Sequence, residues 1–188
     1  AIICALFFSE DGKFQLNQLG HTSQFEKRDR LDLINKISKK DFLSLDKLKT
    51  LSKYWLKLQT KENIKINNGF GFIKSHSCYV SIFNNWFTNL NNTAGYIYIV
   101  RDPRDVAISW AKHANLSYDD SINFMLNFES CIEWAYTKSE LPDSIKPKVF
   151  VSSWDEHVLS WTSNDLHVPK LILKYEDLVY QKIDTINI

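Results

Sequence analysis

An unbroken run of β-branched and aromatic residues, Tyr96-Ile97-Tyr98-Ile99-Val100, ends abruptly in Arg101-Asp102-Pro103-Arg104-Asp105. Such a run predicts a strand buried on both faces of a parallel sheet. Pro103 suits the first turn of a helix, and Val106 to Ala114 continues with an amphipathic pattern. Arg101 is therefore expected where a strand's carboxyl end meets a helix's amino end, the edge at which open α/β sheets bind ligands. Ser109 follows Arg101 by eight residues, about two turns into that helix. A guanidinium is a planar fork of donors and a hydroxyl adds one more, so the two could grip one phosphate. The same spacing also suits an Arg–Asp surface pair closing the turn, with Ser109 packed in its helix. Geometry alone leaves these two readings level.

The rest of the chain bounds what that turn can serve. The 188 residues fit a single domain, 1–188, with a real core, and a hydrophobic fraction of 44% marks it as globular. A net charge of +1 gives no reason to invoke nucleic acid or an anionic membrane. Cys4, Cys78 and Cys131 are odd in number and widely spaced, which suits neither a disulfide framework nor a zinc site. A reducing cytoplasm is the natural setting. The opening Ala1–Phe8 is too short to span a bilayer and lacks a basic segment before it. It reads as the tail of a buried helix, closed by Ser9-Glu10-Asp11-Gly12. Met125 is the only methionine, so the chain reads as truncated at its start.

From Lys13 to Asn68 the sequence is polar, with helices predicted at 29–38 and 42–58. In the second, Leu45, Leu48, Leu51, Trp55 and Leu58 recur at three- and four-residue spacing, the mark of a packing face more often than of a substrate pocket. Asn68-Gly69 then signals a turn into a strand near 70–74 that runs out in Lys74-Ser75-His76. Alternate residues of an extended chain share a face, which would put Lys74 and His76 together. An imidazole can take a proton from a hydroxyl at neutral pH, and an ammonium beside it can steady charge on a transferring group. By themselves, such residues are more often ordinary surface groups.

Further along, Asn84-Asn85 predicts a small hairpin within 79–95. Ser117 caps a helix expected to reach about Tyr136 through Ile122, Met125, Leu126, Phe128 and Ile132. Leu141 to Pro147 is a loop. Ser153 and Glu156 form a capping box ahead of Trp154, Val158 and Trp161 on one helical face. A last buried-strand pattern, near 170–174, closes in Tyr175-Glu176-Asp177. The sequons Asn91-Asn92-Thr93 and Asn115-Leu116-Ser117 carry little meaning without a secretory signal. Strands near 70–74, 96–100 and 170–174, separated by helices, predict an α/β fold with a parallel sheet flanked by helices.

Arg101-Asp102-Pro103-Arg104-Asp105-Val106-Ala107-Ile108-Ser109 resembles the 3′-phosphate-binding segment of the sulfotransferases that use 3′-phosphoadenosine 5′-phosphosulfate (PAPS). The resemblance extends, in the family's order, to Lys74-Ser75-His76, to Ser153-Trp154 with His157-Val158 and Trp161, and to Tyr175-Glu176-Asp177-Leu178. It implies a P-loop nucleotide-hydrolase-like fold, with PAPS as co-substrate held at its 3′-phosphate by Arg101 and Ser109. It also implies His76 as catalytic base, Lys74 as the cation on the sulfuryl group, no metal, and a small-molecule, glycan or lipid acceptor. Where the family usually has a tyrosine near the adenine, this chain has Asp155, so that contact is not carried over; His157 is expected to be structural. The family's phosphate loop would precede Ala1 and its Arg-Lys-Gly segment would follow Ile188, which implies an incomplete fold and a fragment inactive alone. Two alternatives stand beside this reading. One is a phosphoryl transferase of the nucleotide-kinase kind with Asp102 serving Mg²⁺; the other is a non-catalytic binding module. The acceptor's identity and the oligomeric state are not legible here.

Overall fold

The structure, a computed structural model, describes residues 3, 8, 9, 13, 15–25, 37–45, 47–60, 64, 71–133, 147–163 and 165–180. Most of the predicted helix tail at 1–8, nearly all of the helix at 29–38, the turn at Asn68-Gly69 and the loop from Leu141 lie outside the described residues. Ile3 and Phe8 are helical, as expected. The chain groups into two compact units: Ala1–His76 with Ile82–Asn85 and Glu133–Val149, and Ser77–Ser81 with Trp86–Ile132 and Phe150–Ile188.

In the first unit a tight helical turn, Leu16–His21, leads into strand β1 (Thr22–Gln24), which no alternation in the sequence announced. The single helix predicted over 42–58 is instead three short ones, α1 (Lys39–Phe42), α2 (Leu48–Ser52) and α3 (Trp55–Leu58). The Ser44 hydroxyl donates to the Lys40 carbonyl, and the Ser52 hydroxyl to that of Lys49. Side chains that serve backbone groups in this way compete with a continuous helical ladder. The leucine stripe still does what its spacing predicted: Leu45, Leu51, Trp55 and Leu58 are buried. Strand β2 (Phe72–Lys74) pairs in parallel with β1, in the register Thr22↔Phe72, Ser23↔Ile73, Gln24↔Lys74.

The expected hairpin forms from β3 (Ser81–Ile82) and β4 (Asn85–Trp86), with its turn at Phe83-Asn84, one residue earlier than predicted. Both turn residues have positive φ, 51° and 64°, the conformation that matches the twist of a two-residue hairpin. Asn85 lies outside that turn and uses its amide to donate to the Ser52 hydroxyl and the Ile82 carbonyl.

Strand β5 (Tyr96–Val100) leads into α4 (Pro103–Ala114), α5 (Tyr118–Leu126) and β6 (Cys131–Glu133); β7 (Lys148–Phe150), α6 (Trp154–Thr162), β8 (Lys170–Lys174) and α7 (Tyr175–Tyr180) complete the order. β5 and β8 pair in parallel from Tyr96↔Lys170 to Val100↔Lys174. All three strands predicted from sequence are present, but among the described residues they do not pair as one sheet: β5 pairs with β8 and β2 with β1, and these parallel pairs with intervening helices make an α/β fold of the P-loop kind. Burial of β5 on both faces is corrected. Tyr96, Tyr98 and Val100 are half-buried, whereas Ile97 and Ile99 are 42% and 52% exposed. The covered face is the one with hydroxyls to satisfy: Tyr96 Oη donates to the Trp161 carbonyl at 2.6 Å, and Tyr98 Oη bonds His157 Nδ1 at 2.9 Å. Trp161 centres that packing, with the rings of Tyr79, Phe87, Tyr96 and Tyr98 around it and its own Nε1 donating to the Ser77 carbonyl.

Helix α4 starts at Pro103, as Pro prefers, and stops at Asn115, whose φ of 55° is the left-handed cap that asparagine tolerates. Ser117 caps α5 by accepting from the Asp120 N–H. α5 does not reach Tyr136; it ends at Leu126, and Ile132 lies in β6. Local polar groups terminate it. The Ser130 hydroxyl donates to the Phe124 carbonyl, and Asn127 Oδ1 accepts from the Glu129 N–H. α6 begins after Ser153 as predicted, but without the capping box; the Ser153 hydroxyl donates to Asp155 Oδ1 and makes no cap bond to the helix backbone. Among the described residues no helix is long and apolar enough to cross a membrane.

Candidate functional site

Arg101 stands one residue beyond β5, at the carboxyl end of the strand. Its guanidinium carbon lies 4.7 Å above the centre of the Tyr175 ring, a cation–π contact. Nη2 is 3.7 Å from Asp105 Oδ2, an ion pair too long to be a good hydrogen bond. Nε is buried and has no hydrogen-bond partner among the described residues. A buried donor left in that state costs about 1–3 kcal/mol, more when charged. Asp105 and Ser109 are four residues apart in α4 and so share one helical face. The guanidinium's ion pair is thus with a residue on the helical face that also carries Ser109. Ser109 is exposed, not packed in its helix.

The turn that carries Arg101 is itself held from two sides. Asp102 caps α4 by accepting from the Arg104 N–H, and the same carboxylate takes the Arg104 guanidinium through both oxygens. The Arg104 side chain foremost, then its backbone N–H, pull the Asp102 pKa down to about 2. The Asp102 N–H donates to Glu176 Oε1 at 3.0 Å, and that bond is the main cause lowering the Glu176 pKa. Tyr175 and Glu176, read from sequence only as the close of a buried-strand pattern, therefore both touch the Arg101 turn. The signal that pointed to them was their position directly after a strand; their targets were not legible.

Lys74 and His76 belong to the first unit and are described within it. Lys74 is the last residue of β2; its side chain is exposed and its carbonyl accepts from the Phe25 N–H at 2.7 Å. His76 is half-buried in the extended segment just past the strand. Gln24, opposite Lys74 in the parallel register, has its Nε2 buried without a hydrogen-bond partner among the described residues. Sequence reasoning had not singled it out.

The remaining candidates are packing groups. His157 stacks on Tyr98 with the rings 26° apart and shares a hydrogen bond with its hydroxyl, in keeping with a structural role. Burial pushes the Tyr98 hydroxyl well up from its ordinary pKa. Asp155 is exposed and takes the Ser153 hydroxyl, which lowers its pKa. Cys78 is buried, which raises its pKa, and its Sγ lies 3.1 Å from Ser160 Oγ.

A half-exposed arginine just beyond a strand, followed by a proline-started helix on an α/β frame, stands at the sheet edge where open α/β folds bind their ligands. The sulfotransferase domain matches residues 12–187, and the chain belongs to that family, whose general chemistry is sulfuryl transfer. No curated protein matches the chain.

Proposed function

We propose that this domain moves a sulfuryl group from PAPS to a hydroxyl or amine of a small-molecule, glycan or lipid acceptor. One observation carries the reading: a guanidinium just beyond β5 keeps a buried Nε–H without an acceptor among the described residues, while Ser109 stands exposed one turn past Asp105, the partner of its ion pair. A phosphate oxygen is a chemically fitting partner for both groups. Arg101 and Ser109 hold the donor by its 3′-phosphate, away from the reacting bond, so that binding energy fixes orientation. His76 takes the acceptor's proton as the acceptor oxygen or nitrogen attacks sulfur in line. The bond from sulfur to the bridging phosphate oxygen breaks, and 3′,5′-adenosine bisphosphate leaves with the electron pair. The Lys74 ammonium steadies the charge on the sulfuryl oxygens. The scheme calls for no metal. With thiols at Cys78 and Cys131, it is read as acting in the cytoplasm.

The phosphoryl-transferase alternative assigns Asp102 to Mg²⁺. That carboxylate already caps α4 and binds Arg104, which speaks against it. Calorimetry with 3′,5′-adenosine bisphosphate in the absence of Mg²⁺ tests the donor site. Arg101→Ala should weaken binding at least ~10-fold, the loss of a charge-assisted bond pair; unchanged affinity would remove the donor assignment. In the full-length protein His76→Ala should abolish PAPS-dependent turnover, and undiminished turnover would rule out the base. A binding module would bind the bisphosphate and turn over nothing.

A further inference from the structure

We infer that Glu176 is a positioning residue for Arg101, holding from the neighbouring strand the turn that aims the guanidinium; the inference rests on the donor reading above. The pairing Val100↔Lys174 brings the next residues of the two strands side by side at one sheet edge. There Tyr175 lies beneath the Arg101 guanidinium and Glu176 Oε1 accepts the Asp102 N–H at 3.0 Å. At this point β8 has turned into α7, so the ladder offers no further carbonyl to that N–H. The Asp102 side chain cannot substitute, because it faces Arg104 and the first turn of its own helix. Glu176 supplies the missing acceptor from 74 residues away in sequence.

What the carboxylate bonds matters as much as the bond itself. Glu176 lies close enough to feel Arg101, yet its carboxylate bonds the backbone and not the guanidinium. The arginine is oriented and its Nε–H is left for a ligand. Losing the acceptor frees the backbone at Arg101-Asp102, and the fork then spends less of its time aligned with a phosphate.

The test compares two probes by calorimetry, 3′,5′-adenosine bisphosphate and adenosine 5′-phosphate, which lacks the 3′-phosphate. Glu176→Ala should weaken the bisphosphate about 5- to 10-fold, as loss of one or two net hydrogen bonds would. The monophosphate should bind as before. Glu176→Gln keeps an acceptor oxygen and should stay close to the unaltered protein. In an Arg101→Ala background, Glu176→Ala should add nothing. If Glu176→Ala fails to fold, Glu176→Asp, one methylene too short to reach the Asp102 N–H, serves the same comparison. The inference is overturned if Arg101→Ala weakens the bisphosphate while Glu176 variants do not, or if both probes weaken equally. Should Arg101→Ala itself change nothing, the donor reading has failed, and that outcome is distinct from either.

Discussion

Among the described residues, three neighbour the Arg101 guanidinium and none gives its Nε–H an acceptor. Tyr175 offers a ring face, Asp105 a carboxylate at 3.7 Å, and Glu176 a charge already committed to the backbone. The Asp105 pair is the exposed Arg–Asp contact that the spacing also allowed, and it coexists with the unpaired Nε. An exposed i,i+4 pair of this kind is worth only ~0.2–1 kcal/mol. Asp105 therefore acts as a weak rival of any anion for the same guanidinium. Asp105→Asn is expected to tighten 3′,5′-adenosine bisphosphate binding by about 2- to 5-fold at low salt, with the gain shrinking as ionic strength rises. Titration calorimetry at two salt concentrations checks it. Weaker binding by the variant would show instead that Asp105 holds Arg101 in its working position.

The elements β5 and β8 meet because the start of β5 is thin. A Cβ built at Gly95 would lie 2.9 Å from the Pro169 carbonyl oxygen, the same oxygen that accepts the Tyr96 N–H. Backbone cannot give way as a flexible side chain can. Gly95→Ala is expected to cost ~1–3 kcal/mol, the range of overpacking, read as a lower urea midpoint with an unchanged slope. Wild-type stability in the variant would mean that this first contact of the ladder is dispensable. Element boundaries show where sequence reading ran out. Pro103 and Ser117 announced the starts of α4 and α5, because caps are local chemistry. The end of α5 was missed because Phe128 and Ile132 prolong an apolar pattern that Asn127 and Ser130 interrupt with side-chain bonds. The helix at 42–58 kept its buried stripe but not its continuity, since the period reports which face packs and not whether the ladder is unbroken.

For the whole molecule, the acid limb of stability follows from the Arg101 turn. Asp102 is held well below the ordinary carboxylate value of about 4, down to about 2, and Glu176 is also lowered. A carboxylate depressed in the folded state contributes stability that is fully present above its unfolded value. That contribution is lost as pH falls through the folded one, here between about pH 4 and pH 2. Both groups are only half-buried, so salt should soften the effect. Asp102→Asn keeps an N-cap residue while removing the charge. It should lower the melting temperature slightly at pH 7 and flatten its decline from pH 4 to pH 2. A variant with the same acid limb as the unaltered protein would remove Asp102 from that account.

By itself the sequence determined the strand at 96–100, the arginine at its end, the helix that follows and the α/β class, because each depends on neighbours within a few residues. Strand pattern, proline position and capping hydroxyls are short-range facts. Only the tertiary structure decided that Tyr175 lies under Arg101, that Glu176 holds the Asp102 amide, and that one face of β5 is covered while Ile97 and Ile99 are not. Those outcomes depend on the register of β5 against β8, segments some seventy residues apart. Pairing over such a separation is chosen by packing and hydrogen-bond closure across the fold, and leaves no local pattern to read.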